Sequence, residues 1–125
     1  MIYLDTHVVV WLHAGAVERL SAAAVAAIEQ TTDLRISPMV RLELQYLYEI
    51  GRVTQPPEPV LAGLAPRLGL RVCTTPFAAV AAAAETLGWT REPFDRLIVA
   101  QAAVHGASLV TKDDVIARHY PAAIW

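Results

Sequence analysis

Four acidic residues, Asp5, Glu43, Asp95 and Asp113, carry the chemistry that this sequence offers. There is no Gly-x-Ser-x-Gly, no Gly-rich phosphate loop and no His-Glu-x-x-His. His7 and His13 stand six residues apart, where a spacing of four would put two ligands on one helix face. Carboxylates gathered at one place repel one another, and a hard divalent cation with oxygen ligands relieves that repulsion. Mg2+ or Mn2+ suits such a donor set. Such a cation would polarise a phosphoryl oxygen and generate hydroxide from water, which is the chemistry of phosphodiester hydrolysis.

Each acid also has a structural role open to it. Asp5 and Asp113 could be N-caps of the helices they precede, and Asp95 a first-turn carboxylate favoured by the helix dipole. Glu43 is harder to assign to structure alone. Val40, Glu43, Leu47 and Ile50 recur on one helix face, so Glu43 sits in an apolar stripe. A carboxylate there requires compensation from another segment, either an arginine or a metal ion.

The elements that must position these residues alternate between strand and helix. Strands are expected at Ile2 to Leu4, Leu34 to Ser37, Leu70 to Thr74, Ala107 to Thr111 and Ala122 to Trp125. Helices are expected over Thr6 to His13, Ser21 to Gln30 with Ser21 as N-cap, and Ser37-Pro38 to about Gly51. Further helices are expected over about Val60 to Leu68, Pro76 to Leu87, Pro93 to His105 and Asp113 to Arg118. Gln55-Pro-Pro-Glu-Pro59 reads as a loop. The pattern predicts an α/β fold: one domain over residues 1–125, with a central parallel sheet of about four to five strands flanked by helices. Asp5 and Asp113 then fall at carboxyl ends of strands, where open parallel sheets place their sites. Whether all four acids meet depends on strand order, which the sequence alone leaves open.

Composition sets the bounds. A chain of 125 residues that is 55% hydrophobic is a compact domain with one core and no disordered tract. A net charge of −2 gives no bulk attraction for nucleic acid, so any such chemistry must be local. Cys73 is the single cysteine; it cannot form an internal disulfide, is expected to serve packing, and suits a cytoplasmic protein. No apolar run is long enough to cross a membrane.

Several blocks resemble the PIN domains, specifically those of VapC-type toxins. Ile2-Tyr-Leu-Asp5-Thr6-His7 is similar to their first strand and first acid. Ile36-Ser37 and Val40-Arg-Leu-Glu43-Leu resemble the second acidic position. Glu92-Pro-Phe-Asp95-Arg96-Leu-Ile-Val-Ala-Gln101-Ala resembles the third and is the most specific block, although Glu92 stands where relatives often carry Asp. Leu109-Val-Thr111-Lys-Asp113 resembles the fourth. The resemblance spans the chain. It implies an endoribonuclease whose Asp5, Glu43, Asp95 and Asp113 bind Mg2+ or Mn2+, with Thr6, Ser37, Thr111 and Arg96 in supporting or substrate-binding places. It also implies a homodimer and a small VapB-like antitoxin as partner, with RNA as substrate.

Some alternatives stay open at this level. Asp114 competes with Asp113 as ligand. Arg91 and Arg96 could meet phosphate or form surface salt bridges. Trp11, Trp89 and Trp125 could stack on bases or pack in the core or a dimer, and His105 and His119 read as surface or packing residues. Asp5 with Lys112 could serve a phosphoaspartate phosphatase or receiver module, though Asp5-Thr-His7 lacks a second aspartate two residues on. The fold could also be a protein-binding module without catalysis.

Overall fold

The computed structural model describes residues 1–125. Strands β1 (Ile2–Leu4), β2 (Leu34–Ile36), β3 (Arg71–Val72), β4 (Ser108–Val110) and β5 (Ala123–Ile124) form one parallel sheet in the order β3-β2-β1-β4-β5. Between them lie helices α1 (Thr6–Ala14), α2 (Ala22–Gln30), α3 (Pro38–Glu49), α4 (Pro57–Leu68), α5 (Phe77–Ala84), α6 (Pro93–Val104) and α7 (Asp114–His119). The predicted α/β sheet with flanking helices is the observed one. A short 3-10 turn over Val17–Arg19 was not expected.

The central strands are short and buried on both faces. Tyr3, Leu4, Ile36, Leu109 and Val110 are almost fully buried in one core with Val8, Val40, Leu44 and Ile98. Continuous apolar strands of this kind are expected where helices lie on both sides of a parallel sheet. The chain moves from β1 outward to β2 and β3, then returns across β1 to β4 and β5. The carboxyl ends of β1 and β4 are therefore neighbours at a topological switch point. Their register pairs Leu4 with Val110, and Asp5 N–H donates to Val110 O at 3.0 Å.

Local signals set most helix ends. Ser21 Oγ accepts from Ala24 N–H, and Ser37 Oγ accepts from Met39 N–H with Pro38 in the first turn. Gly15 ends α1 at φ 71°, a left-handed conformation that glycine adopts without a Cβ penalty. Other boundaries differ from the sequence expectation. Helix α4 begins at Pro57, inside the expected loop, because proline is compatible with a first helical turn. Helix α5 stops at Ala84 rather than Leu87. Strand β3 is only two residues long, at the edge of the sheet.

Cys73 does more than fill space. Its buried Sγ accepts from Tyr3 OH at 3.0 Å and lies 3.1 Å from Thr75 Oγ1. Burial by itself would raise the thiol's pKa; hydrogen bonds from Thr75, Tyr3 and Arg35 outweigh it and bring the value down to about 6.

Ser37 also donates to Gln101 Oε1 at 3.3 Å, linking the start of α3 to α6. Ser37→Ala removes both the cap and this donor. It is expected to lower unfolding free energy by about 1–2 kcal/mol in urea titrations, with no change in the denaturant slope.

Candidate metal centre

Asp5 leaves β1 and caps α1. Its Oδ1 accepts from Thr6 N–H at 2.7 Å, and its Oδ2 accepts from the buried Thr111 hydroxyl at 2.6 Å. Thr111 Oγ1 in turn accepts from Asp113 N–H at 3.0 Å. One hydroxyl thus ties the first acid, at the end of β1, to the loop that carries the fourth, at the end of β4. Asp113 caps α7 through Ile116 N–H at 2.9 Å. The structural roles open to Asp5 and Asp113 are both real, and each still leaves the carboxylate facing a shared pocket.

That pocket has a volume of about 490 Å3 and is lined by Asp5, Thr6, Glu43, Asp95 and Asp113 at one end. Contact between α3 and α6 brings Glu43 towards Asp95. Asp114 lies exposed in the first turn of α7 and does not line the pocket. Ile50, expected to share a buried face with Glu43, is 49% exposed. The buried face of α3 is carried by Val40 and Leu44, and Glu43 stands at its margin, on the pocket wall.

The electrostatics of the acidic end are unresolved by protein groups alone. Burial raises the Asp95 pKa to about 7, with further repulsion from Asp5, Glu92, Asp113 and Glu43. Burial also raises Glu43, the nearby Thr6 hydroxyl offsets part of the rise, and the charges of Asp5 and Glu92 add to it. No arginine or lysine forms an ion pair with any of the four. The arginine partner considered for Glu43 is not there. Thr6 Oγ1 is buried, lines this pocket and has no partner with hydrogen-bond geometry.

These features fit a hydrated divalent cation. The side chains do not close into a three-ligand cage. Mg2+ commonly binds through one or two carboxylates and keeps several waters. A hydrated cation would answer the orphaned Thr6 hydroxyl through its water shell and the repulsion at Asp95 through its charge.

The supporting residues divide. Thr6 lines the pocket, and Thr111 lies behind it with its hydroxyl on Asp5. Ser37 is buried at the start of α3 and does not line the pocket. Arg96 is turned away from it. Its Nε donates to Ala84 O at 2.7 Å, and its other nitrogens donate to Thr90 O and Glu85 O at 3.3 Å each. The guanidinium therefore caps the C-terminal end of α5 and joins it to α6, a favourable place for a cation at a helix end. Lys112 Nζ lies over the Trp11 ring, 5.9 Å from its centroid, rather than on Asp5, which removes the cation that a phosphoaspartate site required.

Sequence reasoning missed Glu92, His7, Arg52 and Arg19, the last two lining the same pocket. Glu92 caps α6, accepting from Asp95 N–H at 2.6 Å, and adds its charge to the acidic end. His7 lines the pocket; its Nε2 accepts from Lys112 N–H at 2.8 Å, which requires a neutral ring. Burial lowers its pKa despite the charges of Asp5 and Asp113, and at 3.7 Å its Nδ1 is beyond hydrogen-bond reach of Asp5. The spacing Asp5-x-His7 was its only sequence signal. Arg52 follows α3 and has none.

The raised Asp95 pKa has a defined sign in stability. The unfolded state ionises near the ordinary aspartate value and the folded state only near 7. The carboxylate therefore destabilises the fold increasingly from about pH 4 to 7 and by a constant amount above. In EDTA at pH 8, Asp95→Asn is expected to be more stable than wild type by about 1 kcal/mol or more, after solvent screening and loss of a favourable helix-dipole contact. Millimolar Mg2+ should raise the wild-type melting temperature more than the variant's. Melting curves in which the variant is the less stable in EDTA, and Mg2+ moves neither protein, would leave Asp95 a first-turn residue only.

Comparison with known proteins agrees with this architecture. Residues 2–120 match the PIN domain family. The chain is 38% identical to Ribonuclease VapC22 of Mycobacterium tuberculosis, across 99% of this chain and 98% of that protein. Its fold is similar to that of a toxin–antitoxin complex from Klebsiella pneumoniae, with a TM-score of 0.70, 17% identity and coverage of 100% of this chain and 97% of the other. A second similar structure is VapBC2 from Rickettsia felis bound to a promoter DNA fragment, with a TM-score of 0.60, 23% identity and coverage of 94% and 92%. With the family match covering nearly the whole chain and a full-length relative well above 30% identity, this protein belongs to the PIN domain family.

Proposed function

We propose that this chain is a metal-dependent endoribonuclease and the toxin of a toxin–antitoxin pair, acting in the cytoplasm as one nuclease domain over residues 1–125. The observation that carries the reading is the pocket at the β1/β4 switch point, where four carboxylates crowd and none is ion-paired with an arginine or lysine. The full-length similarity to a protein named as a ribonuclease supports the reaction class.

Asp5, Glu43, Asp95 and Asp113 would hold Mg2+ or Mn2+. The bound ion would polarise the scissile phosphoryl group and acidify a coordinated water. The protein's own residues supply order. Thr111 fixes the Asp5 carboxylate, and its hydroxyl orients the backbone before Asp113. Thr6 offers a buried hydroxyl to a water of the site. Asp95, with its pKa near 7, keeps its charge only when a cation or higher pH favours it.

For partners, the similarity to toxin–antitoxin complexes supports a VapB-like antitoxin. Such a partner would present a basic side chain to the acidic end. A homodimer is supported by the exposed apolar side chains Leu42, Tyr46 and Ile50 along α3. No helix is long and apolar enough to cross a membrane.

Purified protein is expected to cleave single-stranded RNA with Mg2+ or Mn2+ and to lose that activity in excess EDTA; undiminished cleavage in EDTA would falsify the metal mechanism. Expression without a partner should arrest growth. Asp5→Asn should abolish the arrest while keeping the cap to Thr6 N–H, since an amide oxygen still accepts. If the asparagine variant arrests growth as strongly at equal protein level, Asp5 is a cap and no more.

A further inference from the structure

The pocket does not end with its acids. From Asp5 and Thr6 its lining continues along α1 to Trp11, and from Glu43 along α3 to Arg52 beyond the helix end; Arg19 lines it as well. The two arginines come from separate segments and converge on one cavity. Neither is in an ion pair, although four carboxylates share the pocket with them. The Arg19 guanidinium lies 5.7 Å from the Trp11 ring centroid and Lys112 Nζ 5.9 Å from it. Trp11 itself is only partly buried.

A phosphodiester strand needs both ends of this cavity. The acidic end repels phosphate until a cation is bound, and the net charge of −2 provides no bulk attraction. Guanidinium groups outside any ion pair in the same pocket supply the missing attraction, through charge-assisted hydrogen bonds to phosphate oxygens. Trp11 is partly buried, with His7 and Trp125 packed against its ring at 5.0 and 5.9 Å between centroids, and the part of the ring that lines the pocket is where an unpaired base would stack. A base on Trp11 requires single-stranded RNA, because a paired base is not free to leave its stack.

We propose that Trp11, Arg19 and Arg52 form the seat for single-stranded RNA. The arginines hold phosphates flanking the scissile one, and Trp11 stacks on a neighbouring base. This rests on the nuclease reading above. The competing occupant is a protein partner that fills the same half-pocket.

The test measures kcat and KM for a short fluorescent single-stranded RNA of mixed sequence in Mn2+, over a series of KCl concentrations. Arg19→Ala and Arg52→Ala should each raise KM severalfold with little change in kcat. Each should also flatten the slope of log(1/KM) against log salt by about 0.7, the value for one lost phosphate contact on a single strand. Trp11→Ala should raise KM roughly fivefold or more, and Trp11→Phe should restore most of the loss. Mn2+ affinity by calorimetry should match wild type in all four variants, which separates substrate seating from damage to the acidic end. If wild type cleaves RNA and the two arginine variants keep its KM and salt slope, this seat is wrong while the nuclease reading stands. If those variants instead lose only affinity for a co-expressed antitoxin, the half-pocket is a protein-docking face and the RNA seat is overturned. If wild type itself neither binds nor cleaves RNA in Mn2+, both readings fall.

Discussion

The Thr111 hydroxyl holds two distant parts of the chain in one arrangement. It donates to Asp5 and accepts from the Asp113 backbone, so the ends of β1 and β4 are locked to each other by side chains as well as by the sheet ladder. Thr111 and Asp5 are both buried, where an unmade hydrogen bond costs more than it would at the surface. Fixing Asp5 in this way costs it rotational freedom and holds its charge in the pocket. Everything else at the site is arranged around a carboxylate that cannot swing away.

That fixed charge adds to a strain that burial already places on its neighbours. Asp95 and Glu43 are each pushed towards their neutral forms, first by burial and then by the other acids. Thr6 keeps an orphaned hydroxyl in the same pocket. A fold selected for stability alone would place an arginine there or bury an apolar side chain. The chain instead spends its arginines elsewhere: Arg96 on the end of α5, Arg35 and Arg71 on Asp33, Arg41 on Glu58. The four acids are thus left without an arginine or lysine in an ion pair, and the two pocket arginines without a carboxylate partner.

The capping geometry shows that structural and chemical roles need not exclude each other. Asp5 and Asp113 each satisfy an amide at a helix start, and both still line the pocket. A carboxylate has two oxygens and several acceptor positions, so one hydrogen bond to a helix end leaves the rest available. Putting acids at helix N-termini also sets them where backbone amides offset some of the repulsion.

The sequence by itself determined what depends on near neighbours. Strand-helix alternation, the serine caps at Ser21 and Ser37, the glycine stop after α1 and the positions of Asp5 and Asp113 just after strands all follow from contacts a few residues apart. The short motif around Asp95 was specific enough to indicate the family. Tertiary structure alone decided what depends on strand order and on side chains from separate segments. The return of the chain across β1 makes Asp5 and Asp113 neighbours, although more than a hundred residues separate them. It also sent Arg96 to α5 instead of the site, moved Glu43 from a supposed core stripe to a pocket wall, and brought Arg19 and Arg52 into one cavity. Periodicity records which face of a helix is apolar, but not which neighbour covers it or which charge lies across the gap. Those follow only once the sheet is assembled.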